Sequence, residues 1–147
     1  MIDRALIGTT VASGAVHVER GRLRLFAKAV GLRDPACFDL DAARAAGYPD
    51  LLVPPTYAFT LESDLPGRRA IAEVLGVPPA RMLHGEQSFE WLGDAFAGQT
   101  LHVSARITGI ESKKGGLLEA VERRTTVTHA DGRPVANLVS VLVVRHG

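Results

Sequence analysis

Few side chains in this sequence can do chemistry, and one short run concentrates them. The chain holds five histidines and a single cysteine, and His84-Gly85-Glu86-Gln87 sets an imidazole two residues from a carboxylate. Side chains alternate along a strand with period two, so His84 and Glu86 should share a face, with Gln87 on the other. Such a pair could take and return a proton; an imidazole bonded within the protein and a solvated carboxylate are the plainer outcomes. Asp34, just before Pro35, has the place of a turn or capping residue. Cys37 could be a nucleophile or a small buried hydrophobe, and no Lys or Arg adjoins it to lower its pKa. His17, His102, His129 and His146 lack the spacing of a ligand set, so no metal is expected.

Composition narrows the class. A chain of 147 residues that is 46% hydrophobic buries one good core, so a single domain over 1–147 is expected. Its 17 Lys and Arg against 16 Asp and Glu leave no basic stripe for nucleic acid. One cysteine forms no intrachain disulfide and suits a reduced, cytoplasmic setting. The start, Met1-Ile2-Asp3-Arg4, lacks the apolar run of a secretion signal, and no stretch nears the roughly 18 apolar residues of a membrane span. A soluble protein, off the membrane, is therefore expected.

The elements that must position these residues fall into two halves. After an extended segment over Ile7–Val18, the spacing of Leu23, Phe26, Ala27 and Val30 predicts an amphipathic helix stopped by Gly31. Asp39 precedes a run of alanines that ends at Gly47, which predicts a short capped helix. Proline at a helix start costs little, so Pro54-Pro55 introduces a helix over Thr56–Ser63. A further helix over Arg68–Leu75 ends at Gly76 and Pro78-Pro79. Four β-rich runs follow, Met82–Trp91, Thr100–Glu111, Leu117–His129 and Pro134–Arg145, and the last two breaks are hairpin-like. Helices first and an antiparallel sheet afterwards make an α+β chain.

Several segments, in order along the chain, resemble the MaoC-like dehydratases, in particular their dehydratase N-terminal subfamily: Phe26 to Gly31, Asp34-Pro35, Ala45-Ala46-Gly47-Tyr48, Val53-Pro54-Pro55-Thr56-Tyr57, His84-Gly85-Glu86-Gln87 and Gly98-Gln99-Thr100-Leu101. The resemblance implies a hot-dog fold, a curved antiparallel sheet wrapped around a long central helix, here the one after Pro54-Pro55. It implies two such folds joined through their sheets, as a homodimer or heterodimer, with acyl-thioester tunnels at the interface. The implied reaction adds water reversibly to the trans-2-enoyl thioester of coenzyme A or acyl carrier protein, giving the (R)-3-hydroxyacyl thioester without metal or redox cofactor. Thr56, Tyr57, His84 and Gly85 fall where the thioester would bind, Tyr57 being either core or a hydroxyl donor to it. The strand ending at Trp91 is placed near the subunit interface.

The resemblance also exposes a departure. Catalytic members carry an Asp and a His in a stretch resembling D-x-N-P-x-H, and anchoring on Asp34-Pro35 puts Leu32 and Cys37 in their places. Leucine has no proton to transfer, and a thiol of ordinary pKa about 8.5 is a poor water-activating base. Pro55 stands near the family's helix-start glycine and has no N–H to give, which leaves that of Thr56 one residue along. Some members of the subfamily with such losses are non-catalytic halves, paired with a dyad-bearing subunit or fused ahead of a second hot dog. The resemblance therefore implies either a hydratase or dehydratase component with His84 and Glu86 as catalytic candidates, or a non-catalytic subunit that shapes the acyl tunnel. A third reading keeps the fold and makes the reaction thioester hydrolysis, with Glu62 as the carboxylate on the central helix.

Overall fold

The sheet forms where period-two alternation runs longest. In the computed structural model, which describes residues 1–66 and 69–146, β1 (Thr10–His17), β2 (Met82–Trp91), β3 (Thr100–Lys113), β4 (Leu118–His129) and β5 (Pro134–Arg145) pair antiparallel in the order β1-β3-β4-β5-β2. Leu101, Val103, Ala105 and Ile107 of β3 are buried, while His102, Ser104 and Arg106 between them are exposed. On β5, Ala136, Leu138, Ser140, Leu142 and Val144 are buried and the alternate residues are half-exposed. Pairing slips between Thr10 and Ala12, between His84 and Glu86, between Ile107 and Gly109, and between Val127 and Thr128. Each bulge bends its strand, so the sheet curves and has a concave face for the helices.

The helices are short because their ends are written in turn residues. α1 (Arg20–Ala29) buries Leu23 and Ala27. α2 (Leu40–Ala45) is capped by Asp39, whose carboxylate accepts from the Ala42 amide at 2.8 Å. α3 (Ala58–Leu61) lies on the concave face and packs Tyr57, Ala58 and Leu61 against Leu101, Val103, Ala105, Val127 and Leu138. α4 (Ile71–Leu75) covers the far end of the sheet, where Leu75 meets Ile107, Ile110, Val121 and Val144. The helix expected over Arg68–Leu75 is present from Ile71, and Arg68 lies outside the described residues.

The central helix corrects one expectation. It is not long: α3 continues only as a 3-10 turn over Glu62–Asp64. Pro66 is the cause, because a residue before proline is driven out of the helical region, and Leu65 is extended at φ −67° and ψ 127°. At the other end Pro54 and Pro55 delay the helix, and the Tyr57 amide donates to the Pro54 carbonyl at 2.9 Å in a turn before it begins.

Two carboxylates are buried on the concave side, each with a partner. Glu62 meets Arg123 of β4 at 2.7 Å. Glu119, wholly buried, accepts from the Ile2 amide at 2.8 Å and lies 2.6 Å from Nε2 of His146. Burial pushes the Glu119 pKa up, but the Ile2 amide and His146 more than offset it and hold the carboxyl below its ordinary range. No helix among the described residues is long and apolar enough to cross a membrane.

Candidate functional site

The edge strand β2 decides which side chains meet. Its pairing with β5 sets His84 opposite Leu142, Gln87 opposite Ser140, Phe89 opposite Leu138 and Trp91 opposite Ala136, all partners of the buried concave series. Glu86 stands opposite Val141, Ser88 opposite Val139 and Glu90 opposite Asn137, on the convex face. The bulge at Gly85 inserts one residue and shifts the phase of the alternation. A side chain at Gly85 is resisted there, since a Cβ would sit 3.0 Å from Cγ2 of Val143 and 3.2 Å from the Val141 carbonyl oxygen. The expectation that Glu86 shares a face with His84 is thereby corrected: Gln87 does, and Glu86 points away from the cavity.

On the concave side, β2, α1 and α3 border an open cavity of about 550 Å³ lined by Phe26, Thr56, Phe59, His84, Gln87 and Phe89. Three phenylalanines make it apolar, and three polar side chains are set among them. The Phe59 and His84 rings meet edge to face, with centroids 5.5 Å apart. Gln87 is braced by the buried Ser140, whose hydroxyl donates to Oε1 at 2.6 Å, and its amide nitrogen donates to the Ser88 carbonyl at 3.1 Å. Such a cleft suits a flexible apolar chain carrying occasional hydrogen-bonding groups.

Of the residues expected from sequence to bind substrate, Thr56 and His84 line this cavity. Tyr57 is 2% exposed and stands behind the wall, edge-on to Phe26 at 5.3 Å; burial raises its pKa. Gly85 supplies the bulge. Trp91 turns inward at the end of β2 and donates its indole N–H to the Pro55 carbonyl at 2.6 Å, tying the start of α3 to the edge strand. Beside it lies a smaller cleft of about 270 Å³ lined by Leu52, Val53, Pro55, Trp91, Gly93, Asp94 and Ala95.

The two dyad-equivalent positions, Leu32 and Cys37, offer no base. Leu32 is half-buried. Cys37 is 1% exposed, in the 3-10 turn Pro35–Cys37, and burial first, then the nearby Asp34, push its thiol up to about 11. It stays protonated at neutral pH and is closed to substrate. Asp34 caps that turn, its Oδ1 accepting from the Ala36 amide at 3.0 Å. Glu62 is 8% exposed and held by Arg123, and it is not among the residues lining the cavity. No group of histidine, cysteine and carboxylate ligands able to hold a metal ion occurs among the described residues.

Sequence reasoning missed Gln87, Phe26, Phe59 and Phe89 as lining residues. The available signal was Gly85, because a glycine inside a strand pattern marks a bulge, and a bulge reverses the faces on one side of it.

The model of the FAS1-like dehydratase domain region matches residues 5–138. The UPF0336 protein of Streptomyces griseus is 33% identical over 98% of this chain and 95% of its own length. The C-terminally truncated HadBC (3R-hydroxyacyl-ACP dehydratase) complex of Mycobacterium tuberculosis superposes with a TM-score of 0.74 at 23% identity, covering 92% of this chain and 98% of that one. The (R)-hydratase from A. caviae superposes at 0.73 and 16% identity, over 95% of this chain and 98% of that one.

Proposed function

The chain belongs to the family of the FAS1-like dehydratase domain region and has the hot-dog fold of the MaoC-like dehydratases, and from that premise we propose that it is the non-catalytic half of an (R)-3-hydroxyacyl-thioester dehydratase. Paired with a dyad-bearing hot-dog subunit, it lends its aromatic cavity to the acyl chain of a coenzyme A or carrier-protein thioester. The observation that carries this reading is the stretch around Asp34: Leu32 is apolar, and Cys37 is buried with its thiol raised to about 11.

The chemistry explains why that matters. Hydration needs a base to take a proton from water as its oxygen bonds to C3, a donor to protonate C2, and stabilisation of the enolate-like thioester oxygen between the two steps. A buried, protonated thiol cannot take the first proton. The partner's dyad supplies that step and its reverse, and no metal or redox cofactor enters. This chain contributes binding: Phe26, Phe59 and Phe89 exclude water from the acyl chain, while Thr56, His84 and Gln87 meet its polar groups. Thioester hydrolysis is the weaker reading, because Glu62 is committed to Arg123.

The test follows the absorbance of the conjugated enoyl thioester, using crotonyl-CoA and longer enoyl-CoA substrates. The chain alone leaves the signal unchanged, and adding a dyad-bearing hot-dog subunit that co-purifies with it gives turnover. Hydration by the chain alone, lost in His84→Ala, overturns the reading and makes this subunit an enzyme with a non-standard base.

A further inference from the structure

β2 ends the sheet, and among the described residues its outer edge pairs with no strand. Its backbone donors and acceptors along Met82–Trp91 are a template for another strand. Around that edge apolar side chains stand open to solvent: Leu83 is 56% exposed, and Phe59, on the cavity wall, is 44% exposed. The cavity is walled by β2 itself, so a strand added at this edge would extend that wall.

The convex face of the same strand has one sign of charge. Downstream of the bulge it presents Glu86, Ser88 and Glu90, all exposed. The neighbouring convex positions of β5, Asn137, Val139, Val141 and Val143, are uncharged, and the nearest convex cation in register, Arg124 of β4 opposite Val139, stands one strand further away beside Glu122. Glu90 takes only a neutral hydrogen bond, from the Asn137 amide at 2.8 Å.

Two-fold pairing of this strand with a second copy sets residue i opposite residue j with i and j summing to a constant. For every register centred within residues 86–90, a glutamate of one copy falls directly opposite or diagonal to a glutamate of the other. Opposed like charges on a sheet face repel.

We propose that the β2 edge is built to pair with a different hot-dog subunit, one whose edge strand presents Lys or Arg on its convex face, and that Glu86 and Glu90 reject self-pairing. The inference rests on the reading of the chain as one half of a two-subunit assembly and adds the electrostatic rule by which it selects the other half.

The experiment needs only this chain. Sedimentation velocity compares the wild type, the double variant Glu86→Lys/Glu90→Lys, and their equimolar mixture. The mixture forms one-to-one dimers about tenfold more tightly than either component alone, and added salt weakens them. A shape-preserving control, Glu86→Gln/Glu90→Gln, self-associates more strongly than the wild type, and circular dichroism verifies the fold of each variant. A tight, salt-insensitive wild-type dimer overturns the proposal, as does a mixture no tighter than its parts or a Gln variant no stickier than the wild type. Loss of acyl-thioester binding would leave these readouts unchanged, so the two readings fail separately.

Discussion

Removing Arg123 tests whether Glu62 is a structural ion or a spare catalytic carboxylate. Nη1 of Arg123 meets Oε1 of Glu62 at 2.7 Å, and each side chain is 11% exposed. Arg123→Met leaves that carboxylate in the interior without a counter-charge, which costs roughly 3–5 kcal/mol for a buried pair. Residual water access points to the lower end, about 3 kcal/mol. A chain of 147 residues has an unfolding entropy of roughly 0.3 kcal/mol/K near its Tm, so the midpoint falls by about 10 °C. Glu62→Leu/Arg123→Met behaves differently. Nε of Arg123 is buried without a hydrogen-bond partner, so the native pair already carries uncompensated desolvation, and the apolar replacement returns to within about 1 kcal/mol of the wild type. Thermal and urea unfolding of both single variants and the double variant gives the coupling directly. Additive losses below about 1 kcal/mol for each single change would refute the reasoning and return Glu62 to the list of available bases.

Cys37, 1% exposed with its thiol raised to about 11, stays unmodified by a thiol reagent at neutral pH in the native protein and reacts once the chain is unfolded; stoichiometric native labelling would contradict its burial. The Glu119 carboxyl has a lower pKa folded than unfolded, so the folded state binds fewer protons, and its stabilisation is complete above the ordinary glutamate pKa of about 4.3 and disappears as pH falls through the lowered value. Glu119→Gln should flatten that acid limb of a stability-against-pH curve, and an unchanged limb would assign it to other carboxylates.

Most of the element order was legible because it rests on local rules. Met82–Trp91 and Pro134–Arg145 match the observed strands, since alternation and turn residues mark both ends of each run. Asp39 and Gly47 enclose α2 as capping chemistry requires. What escaped was non-local. Glu86 was assigned to the face of His84 by a period that Gly85 interrupts, and the resistance to a side chain there comes from Val141 and Val143, more than fifty positions along the chain. The partners of Glu62 and Glu119, Arg123 and His146, lie far away in sequence and become visible only when the strands are aligned.

Trp91 is the only tryptophan in the chain, and its indole N–H is bonded to the Pro55 carbonyl where the edge strand meets the start of α3. Indole emission responds to the polarity and hydrogen bonding around the ring, so the protein carries one built-in optical reporter at the joint between the unpaired sheet edge and the helix bordering the cavity. A single fluorescence trace therefore tests both proposed events, subunit docking and filling of the cleft, without any attached dye.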